Sequence, residues 1–306
     1  MDCRIKPGND ENAKRPEYSV MTAPTDDPLV STDWLAARLD DPKVKIIDAS
    51  SKLPGVLPLP LQDYLGGHIP GAVFFDVNAV AAPDDPRPHM YPDAAQFARD
   101  LSALGISSDD TVVAYDSGSW TAAPRAWWML LSFGHPDVKV LDGGLKKWLR
   151  EGRPTHSGNV TPKPGKFRAT LDSSYVRSQQ QLVDNLTTKA EQVVDARAKP
   201  RFEGTVAEVW PGRRSGHIPG SRNVPYNDLF DAGTGAMKPL EDLRQAFTGA
   251  GVDLKKPIVT SCGSGVSALV LTLALYRLGV RGSALYDGSW AEWGLPDGPP
   301  IATGPA

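Results

Sequence analysis

The chain has only two cysteines, Cys3 and Cys262, at opposite ends of its 306 residues. That scarcity argues against a disulfide framework and fits a reducing cytoplasm. No CxxC pair and no Cys/His cluster offers metal-ligand spacing, so no metal site is expected. No apolar run approaches the roughly 20 residues that span a bilayer, so no membrane association is expected. An excess of one charge is missing too. The formal net charge is −3, from 33 basic and 36 acidic side chains, and leaves no electrostatic footprint for nucleic acid. The first 28 residues lack the apolar core of a secretion signal. They are rich in Asp, Asn, Lys and Pro, which predicts a disordered tail over 1–28, with Met21 as an alternative start.

What is present is a repeat. The composition, 41% hydrophobic and 23% charged, suits a globular protein with a sizeable core, and the length suits two domains. Val44-Lys45-Ile46-Ile47-Asp48-Ala49 returns as Glu191-Gln192-Val193-Val194-Asp195-Ala196. Gly67-His68-Ile69-Pro70-Gly71 returns unchanged as Gly216-His217-Ile218-Pro219-Gly220. Thr111-Val112-Val113-Ala114-Tyr115-Asp116 returns as Pro257-Ile258-Val259-Thr260-Ser261-Cys262, and Leu141-Asp142-Gly143 as Tyr286-Asp287-Gly288. The interval from Asp48 to Asp116 differs by one residue from that between Asp195 and Cys262. A period this long means whole duplicated domains, not a solenoid.

Short β-branched runs at 112–115, 138–141, 193–195 and 258–261 read as buried strands. The stretches 97–104, 122–133, 240–250 and 266–278 read as helices. Their alternation predicts an α/β fold in two tandem copies, each a parallel sheet with helices on both faces. The expected boundaries are 29–155 for the first domain and 171–304 for the second. Between them, 156–170 carries two prolines and two glycines and reads as a linker.

Cys262 ends the strand-like run Val259-Thr260-Ser261 and is followed by Gly263-Ser264-Gly265 before an apolar helix. Ligands bind at the carboxyl ends of strands in open α/β sheets. Two glycines let the backbone turn tightly, with several N–H groups facing one point. The helix start adds a partial positive charge. Together these are expected to stabilise a thiolate, which is the nucleophile. A lone cysteine is otherwise a small buried hydrophobe, and only this context lifts it above that reading.

With these residues in hand, the chain resembles the rhodanese superfamily in its tandem-domain form, and within it the 3-mercaptopyruvate sulfurtransferases. Cys262-Gly263-Ser264-Gly265-Val266-Ser267-Ala268 is similar to that family's Cys-Gly-Ser-Gly-Val-Thr-Ala loop, with Ser267 in place of Thr. The two Gly-His-Ile-Pro-Gly boxes, Ala123-Pro124-Arg125-Ala126-Trp127-Trp128 and Leu141-Asp142-Gly143-Gly144-Leu145 fit the same pattern. The resemblance implies that only the second domain reacts, Asp116 standing where the first would need a cysteine. It implies a ping-pong transfer through a Cys262 persulfide, from a small-molecule sulfur donor to a thiol, a thioredoxin-like protein or cyanide, without a cofactor.

The donor is read from the loop. Thiosulfate-preferring relatives carry Arg and Lys directly after the cysteine, whereas Gly263 and Ser264 are uncharged, which favours mercaptopyruvate. Ser264 is expected to hydrogen-bond the leaving enolate or relay a proton, or else to stabilise the loop. Gly263, Gly265, Val266 and Ser267 are expected to line the substrate. The resemblance assigns the substrate's carboxylate and ketone to Arg201 and to a second arginine nine positions on, where this chain has Trp210. Arg213 and Arg214 are the neighbouring alternatives. It also implies a proton relay at His89 with an acidic partner, but that position holds Asn78, so His89 is equally a plain cleft contact. His68 and His217 recur in both copies and read as structural. A thiosulfate sulfurtransferase using the same Cys262 is the nearest alternative. A Cys-dependent phosphatase would need an arginine where Ala268 stands, and a non-catalytic persulfide sensor or scaffold is the most distant reading.

Overall fold

The computed structural model describes residues 27–53, 55–117 and 121–306. Most of the expected tail, with Cys3, lies outside the described residues. Asp27 and Pro28 are a correction to it: Asp27 is ion-paired with Arg277 at 2.8 Å, and the Pro28 carbonyl accepts from Val140 N–H.

The first copy runs β1 (Leu29–Val30), α1 (Thr32–Ala36), β2 (Val44–Asp48), α2 (Pro60–Gly66), β3 (Val73–Phe74), α3 (Ala94–Ala103), β4 (Thr111–Tyr115), α4 (Ala122–Ser132), β5 (Val138–Leu141) and α5 (Gly144–Arg150). The second runs β6 (Val176–Arg177), α6 (Gln179–Thr188), β7 (Gln192–Asp195), α7 (Lys199–Glu203), β8 (Arg222–Asn223), α8 (Leu240–Gly249), β9 (Ile258–Ser261), α9 (Ala268–Arg277), β10 (Ala284–Tyr286) and α10 (Ser289–Trp293). Among the described residues every strand pairing is parallel. The orders β1-β5-β4-β2-β3 and β6-β10-β9-β7-β8 are the same topology twice.

Alternate strand residues face opposite sides. Val112 and Ala114 of β4 join one apolar cluster, while Val113 and Tyr115 join the other with Leu35, Leu145 and Trp148. Both faces of the sheet are therefore covered, which is why its strands read as unbroken apolar runs. The second sheet repeats this: Val193, Val259 and Tyr286 pack with Leu182, Trp290 and Trp293. Its other face, with Val194, Ile258 and Leu285, shares one cluster with the first domain. Helices α4 and α9 meet there, each buried along its length. Trp127 stands edge-on to Tyr276 (5.2 Å), and Trp128 edge-on to Tyr175 (4.9 Å). The two domains thus share a core. Among the described residues no helix is long and apolar enough to cross a membrane.

The segment 156–170 is a strap on the first domain. His156 exchanges two backbone hydrogen bonds with His68, Gly165 N–H donates to Ser102 O, and Phe167 is buried. The duplication extends to this closure. Trp148 Nε1 donates to Pro154 O and Trp293 Nε1 to Pro300 O; His68 bridges His156, and His217 bridges Ala302. Each histidine lies flat on an aromatic ring, His68 on Tyr64 (4.2 Å) and His217 on Phe202 (3.8 Å), and its Nδ1 meets that residue's carbonyl. They knit each copy closed, as their repetition suggested.

A shared core predicts that the domains unfold together. Calorimetry should show one cooperative transition, and Trp127→Ala should lower its Tm, at a cost of about 3–5 kcal/mol, without splitting it. Two resolved transitions in the wild type would contradict the shared core.

Candidate active site

Strand β9 is buried throughout and delivers Cys262, 1% exposed, at its carboxyl end. The next residues are held by their carbonyls. Cys262 O accepts from Trp290 N–H (2.9 Å) and Gly263 O from Ala291 N–H (2.7 Å), both at the start of α10. Gly265 O accepts from Arg125 Nη1 (3.0 Å), which comes from the other domain. In a trans peptide the N–H points opposite to the preceding carbonyl. Fixing these three carbonyls therefore turns the N–H groups of Gly263, Ser264 and Val266 away from their anchors. Among the described residues, nothing accepts from them. At the N-terminus of α9 the Ser267 side chain makes no cap, and Leu269 and Val270 N–H donate instead to Val266 O and Ser267 O, both at 3.2 Å. Gly265 has φ +76, and a Cβ there would lie 2.7 Å from Asp287 O, so the turn requires glycine.

Three side chains converge on this loop from other elements. The guanidinium of Arg201, on α7, is ion-paired with Glu208. The Glu208 side chain is 1% exposed, and its other oxygen meets Arg197 Nη1 at 2.7 Å. Arg197 is bound in turn by Asp195 (2.6 Å) and lies over the Trp290 ring (4.3 Å). Two cations and two anions thus form a row, buried at Asp195, Arg197 and Glu208 and partly exposed at Arg201, that fixes the Arg201 guanidinium. Its Nη2 and Trp210 Nε1 each lie 3.3 Å from the point where a Cβ on Gly263 would sit, and its Nε is buried without a partner. Tyr226 stands close enough for its hydroxyl to feel Cys262, Asp116 and Arg201; burial, more than these charges, pushes its pKa up.

The third side chain is His89. Its Nδ1 lies 3.0 Å from Ser264 Oγ and its Nε2 3.0 Å from Asn78 Oδ1. Asn78 Nδ2 donates to Asp76, which leaves Oδ1 to accept from the imidazole. His89 Nδ1 also lies 3.3 Å from Ser264 O, so a neutral imidazole protonated on Nε2 accepts from the Ser264 hydroxyl, whereas one protonated on Nδ1 donates to the Ser264 carbonyl. Burial, aided by the positive Arg125, pushes the imidazole down to about 4. The carboxylate expected next to the histidine is one step further back, as Asp76.

Arg213 and Arg214 are not brought to the loop. Arg213 donates from Nε to Ala291 O (3.0 Å) and from Nη1 to Pro211 O (2.9 Å), and Arg214 from Nη2 to Trp293 O (3.0 Å) and Pro299 O (2.8 Å). They staple the Trp210 segment to α10. Glu208, Asp76, Tyr226 and Arg125 were missed as site residues. Arg125 was the most readable: a lone charge inside the apolar helix α4 demands a buried partner.

The first copy keeps the scaffold and changes the chemistry. Asp116 O accepts from Leu145 N–H (2.9 Å) just as Cys262 O accepts from Trp290 N–H. The side chain there is a carboxylate, which cannot carry sulfur.

A duplicated parallel α/β fold with one nucleophile loop at a strand end defines the class. A family model for the rhodanese-like domain matches the chain twice, over residues 31–151 and 178–295, and the chain belongs to that family. It is 43% identical over 267 residues to the 3-mercaptopyruvate sulfurtransferase of Escherichia coli K12, covering 87% of this chain and 94% of the relative. It is 42% identical over 272 residues to the thiosulfate sulfurtransferase of Cricetulus griseus, covering 87% and 91%. The crystal structure of SseA from Escherichia coli, a 3-mercaptopyruvate sulfotransferase, superposes with a TM-score of 0.79 at 42% identity, covering 86% of this chain and 98% of that one.

Two outcomes follow. Gly265→Ala should cost about 1–3 kcal/mol of stability, read from the denaturation midpoint; an unchanged midpoint would mean the left-handed turn is not required. His89 in the unfolded chain takes up a proton near 6.5, but in the fold only near 4. Stability is thus full above 6.5 and falls as pH drops through that window. Tm measured between these pH values should fall more for the wild type than for His89→Gln; parallel curves would contradict the buried neutral imidazole.

Proposed function

We propose that this enzyme takes sulfur from 3-mercaptopyruvate on Cys262 and passes it to a thiol acceptor. The observation that carries this reading is the tethered loop: three carbonyls tied back around Cys262, and the intervening N–H groups left without acceptors. Such a loop holds negative charge on sulfur at low reorganisation cost.

The Cys262 thiolate attacks the donor's thiol sulfur. The S–S bond forms as the donor's C–S bond breaks, and the electron pair leaves on carbon as the enolate of pyruvate. The Ser264 hydroxyl, 3.0 Å from His89 Nδ1, turns its single proton from the imidazole to the enolate oxygen as charge develops there; protonation on carbon gives pyruvate. An acceptor thiolate then attacks the outer sulfur and Cys262 leaves as thiolate. Splitting one transfer into two lowers each barrier. The donor carboxylate belongs to Arg201, whose guanidinium Glu208 already holds in place. Gly263 argues against a thiosulfate-type site: a side chain there would press on Arg201 and Trp210 from its first carbon.

Thioredoxin-like proteins and small thiols in a reducing cytoplasm are the acceptors that suit a free persulfide. Thiosulfate as the donor is the second reading, favoured by the similarity to the Cricetulus griseus enzyme.

Steady-state assays separate the two. Pyruvate release from mercaptopyruvate should exceed thiocyanate formation from thiosulfate by at least about tenfold in kcat/KM, and Cys262→Ser should abolish both. Preference for thiosulfate would reverse the donor assignment, and pyruvate release surviving Cys262→Ser would remove Cys262 from the reaction.

A further inference from the structure

Cys262 is 1% exposed, and Gly263, Ser264 and Gly265 are buried with it. Sulfur must still arrive on Cys262 and leave it, so part of the cover has to move. Two walls meet beside the loop, one from each domain. The His89 imidazole stands nearly edge-on to the Trp210 ring, at 6.2 Å and 74°. The Trp210 wall is stapled by Arg213 and Arg214 to carbonyls of Ala291, Trp293 and Pro299. The His89 wall is held differently.

His89 lies near the end of a short loop, 82–90, closed at its base by Ala82 N–H donating to Met90 O (2.8 Å). Pro83, Pro86 and Pro88 stiffen it. Two ties bind it to the second domain. One is buried: Tyr91 N–H donates to Asp287 (2.7 Å), and Arg125 binds both Asp287 and the His89 carbonyl. The other is Arg87. Its guanidinium forks onto Asp85 of the same loop (Nε to Oδ1, 2.8 Å) and pairs through Nη1 with Glu292 of α10. Glu292 is fixed in turn by the Tyr286 hydroxyl (2.9 Å). Helix α10 is also the element whose first N–H groups hold Cys262 O and Gly263 O. Arg87 thus ties the histidine loop to the helix that ties the cysteine loop. Two residues on, His89 has φ +63, a left-handed conformation that a non-glycine residue keeps where its surroundings impose it.

Exposure decides which tie gives way. Opening Arg125–Asp287 would strand two buried charges. The Arg87 and Glu292 side chains are 34% and 14% exposed, so water can replace each partner and salt screens their attraction. We propose that Arg87 is a positioning residue: through Glu292 it latches the 82–90 loop onto α10, holds His89 against Ser264, and closes the way to Cys262 until the pair opens. The effect on turnover rests on the part given to Ser264 and His89 in the preceding subsection; the effect on access does not.

Alkylation of Cys262 by iodoacetamide measures access without any sulfur donor, read at its own peptide by mass spectrometry so that Cys3 does not count. Arg87→Met should raise the rate about threefold to fivefold, the range a partly exposed ion pair supports. Loss of a cation alone would disfavour the thiolate and slow the reaction, so acceleration reports access. Arg87→Lys, which still reaches Glu292, should return the rate to near wild type. Salt at about 1 M, which screens charges beyond about 3 Å, should speed the wild type and leave Arg87→Met unchanged. Glu292→Gln should match Arg87→Met, and the double variant should be no faster than either, because both break one pair. In pyruvate release from mercaptopyruvate, Arg87→Met should lower kcat about threefold with KM changed less than about twofold, and Arg87→Lys should restore it. A wild-type alkylation rate in Arg87→Met, or an acceleration that Arg87→Lys shares, overturns the latch. Should Arg87→Met fail to fold, Glu292→Gln and the salt response of the wild type carry the test. A wild type that releases no pyruvate instead overturns the donor assignment and leaves the alkylation result standing, so the two failures are told apart.

Discussion

The buried guanidinium of Arg125 is the interaction on which the rest of the structure depends. It rises from α4 of the first domain with no exposed surface and reaches Gly265 O in the cysteine loop, Asp287 Oδ1 at 3.1 Å, and the His89 carbonyl. Tyr91 lies under it at 5.0 Å, and Tyr91 N–H donates to the other Asp287 oxygen. A cation so deep is tolerable only with its partners in place; removing one typically costs about 3–5 kcal/mol. Its carbonyl contacts determine where the loop's N–H groups point and hold His89 against Ser264. The first domain, though it has no cysteine in its loop, is thus part of the site.

Duplication explains how this came to be built symmetrically. The repeated Asp142 and Asp287 each cross to the other domain, Asp142 accepting from Met237 N–H and Asp287 from Tyr91 and Arg125. What differs is the load each crossing carries. On one side it braces a loop that ends in Cys262. On the other it braces the scaffold around Asp116. The same α4–α9 contact that buries both helices keeps the two crossings in register.

Much of this was legible in the sequence, for a physical reason. Parallel strands buried on both faces leave unbroken β-branched runs, so 138–141 and 258–261 matched β5 and β9 at both ends. The cysteine loop was legible because glycines at a strand end have few other purposes. Helix α9 begins at Ala268, two residues after the expected start, because Val266 and Ser267 are spent on the turn. The side-chain partners were less readable. Glu208 looks like any acidic residue until α7 brings Arg201 beside it, and Asp76 acts through Asn78 rather than in its place. Arg213 and Arg214 had the right charge at nearly the right position, but α10 offered them carbonyls first. Contacts between separate elements leave no periodic trace in a chain.

The account stands or falls on sulfur residing on Cys262. Intact mass spectrometry of the protein after brief exposure to 3-mercaptopyruvate tests this most directly. The predicted result is a gain of one sulfur atom, lost on adding a thiol and absent from Cys262→Ser. A wild-type mass that never changes while pyruvate accumulates would contradict it, because the sulfur would then reach its acceptor without a covalent intermediate.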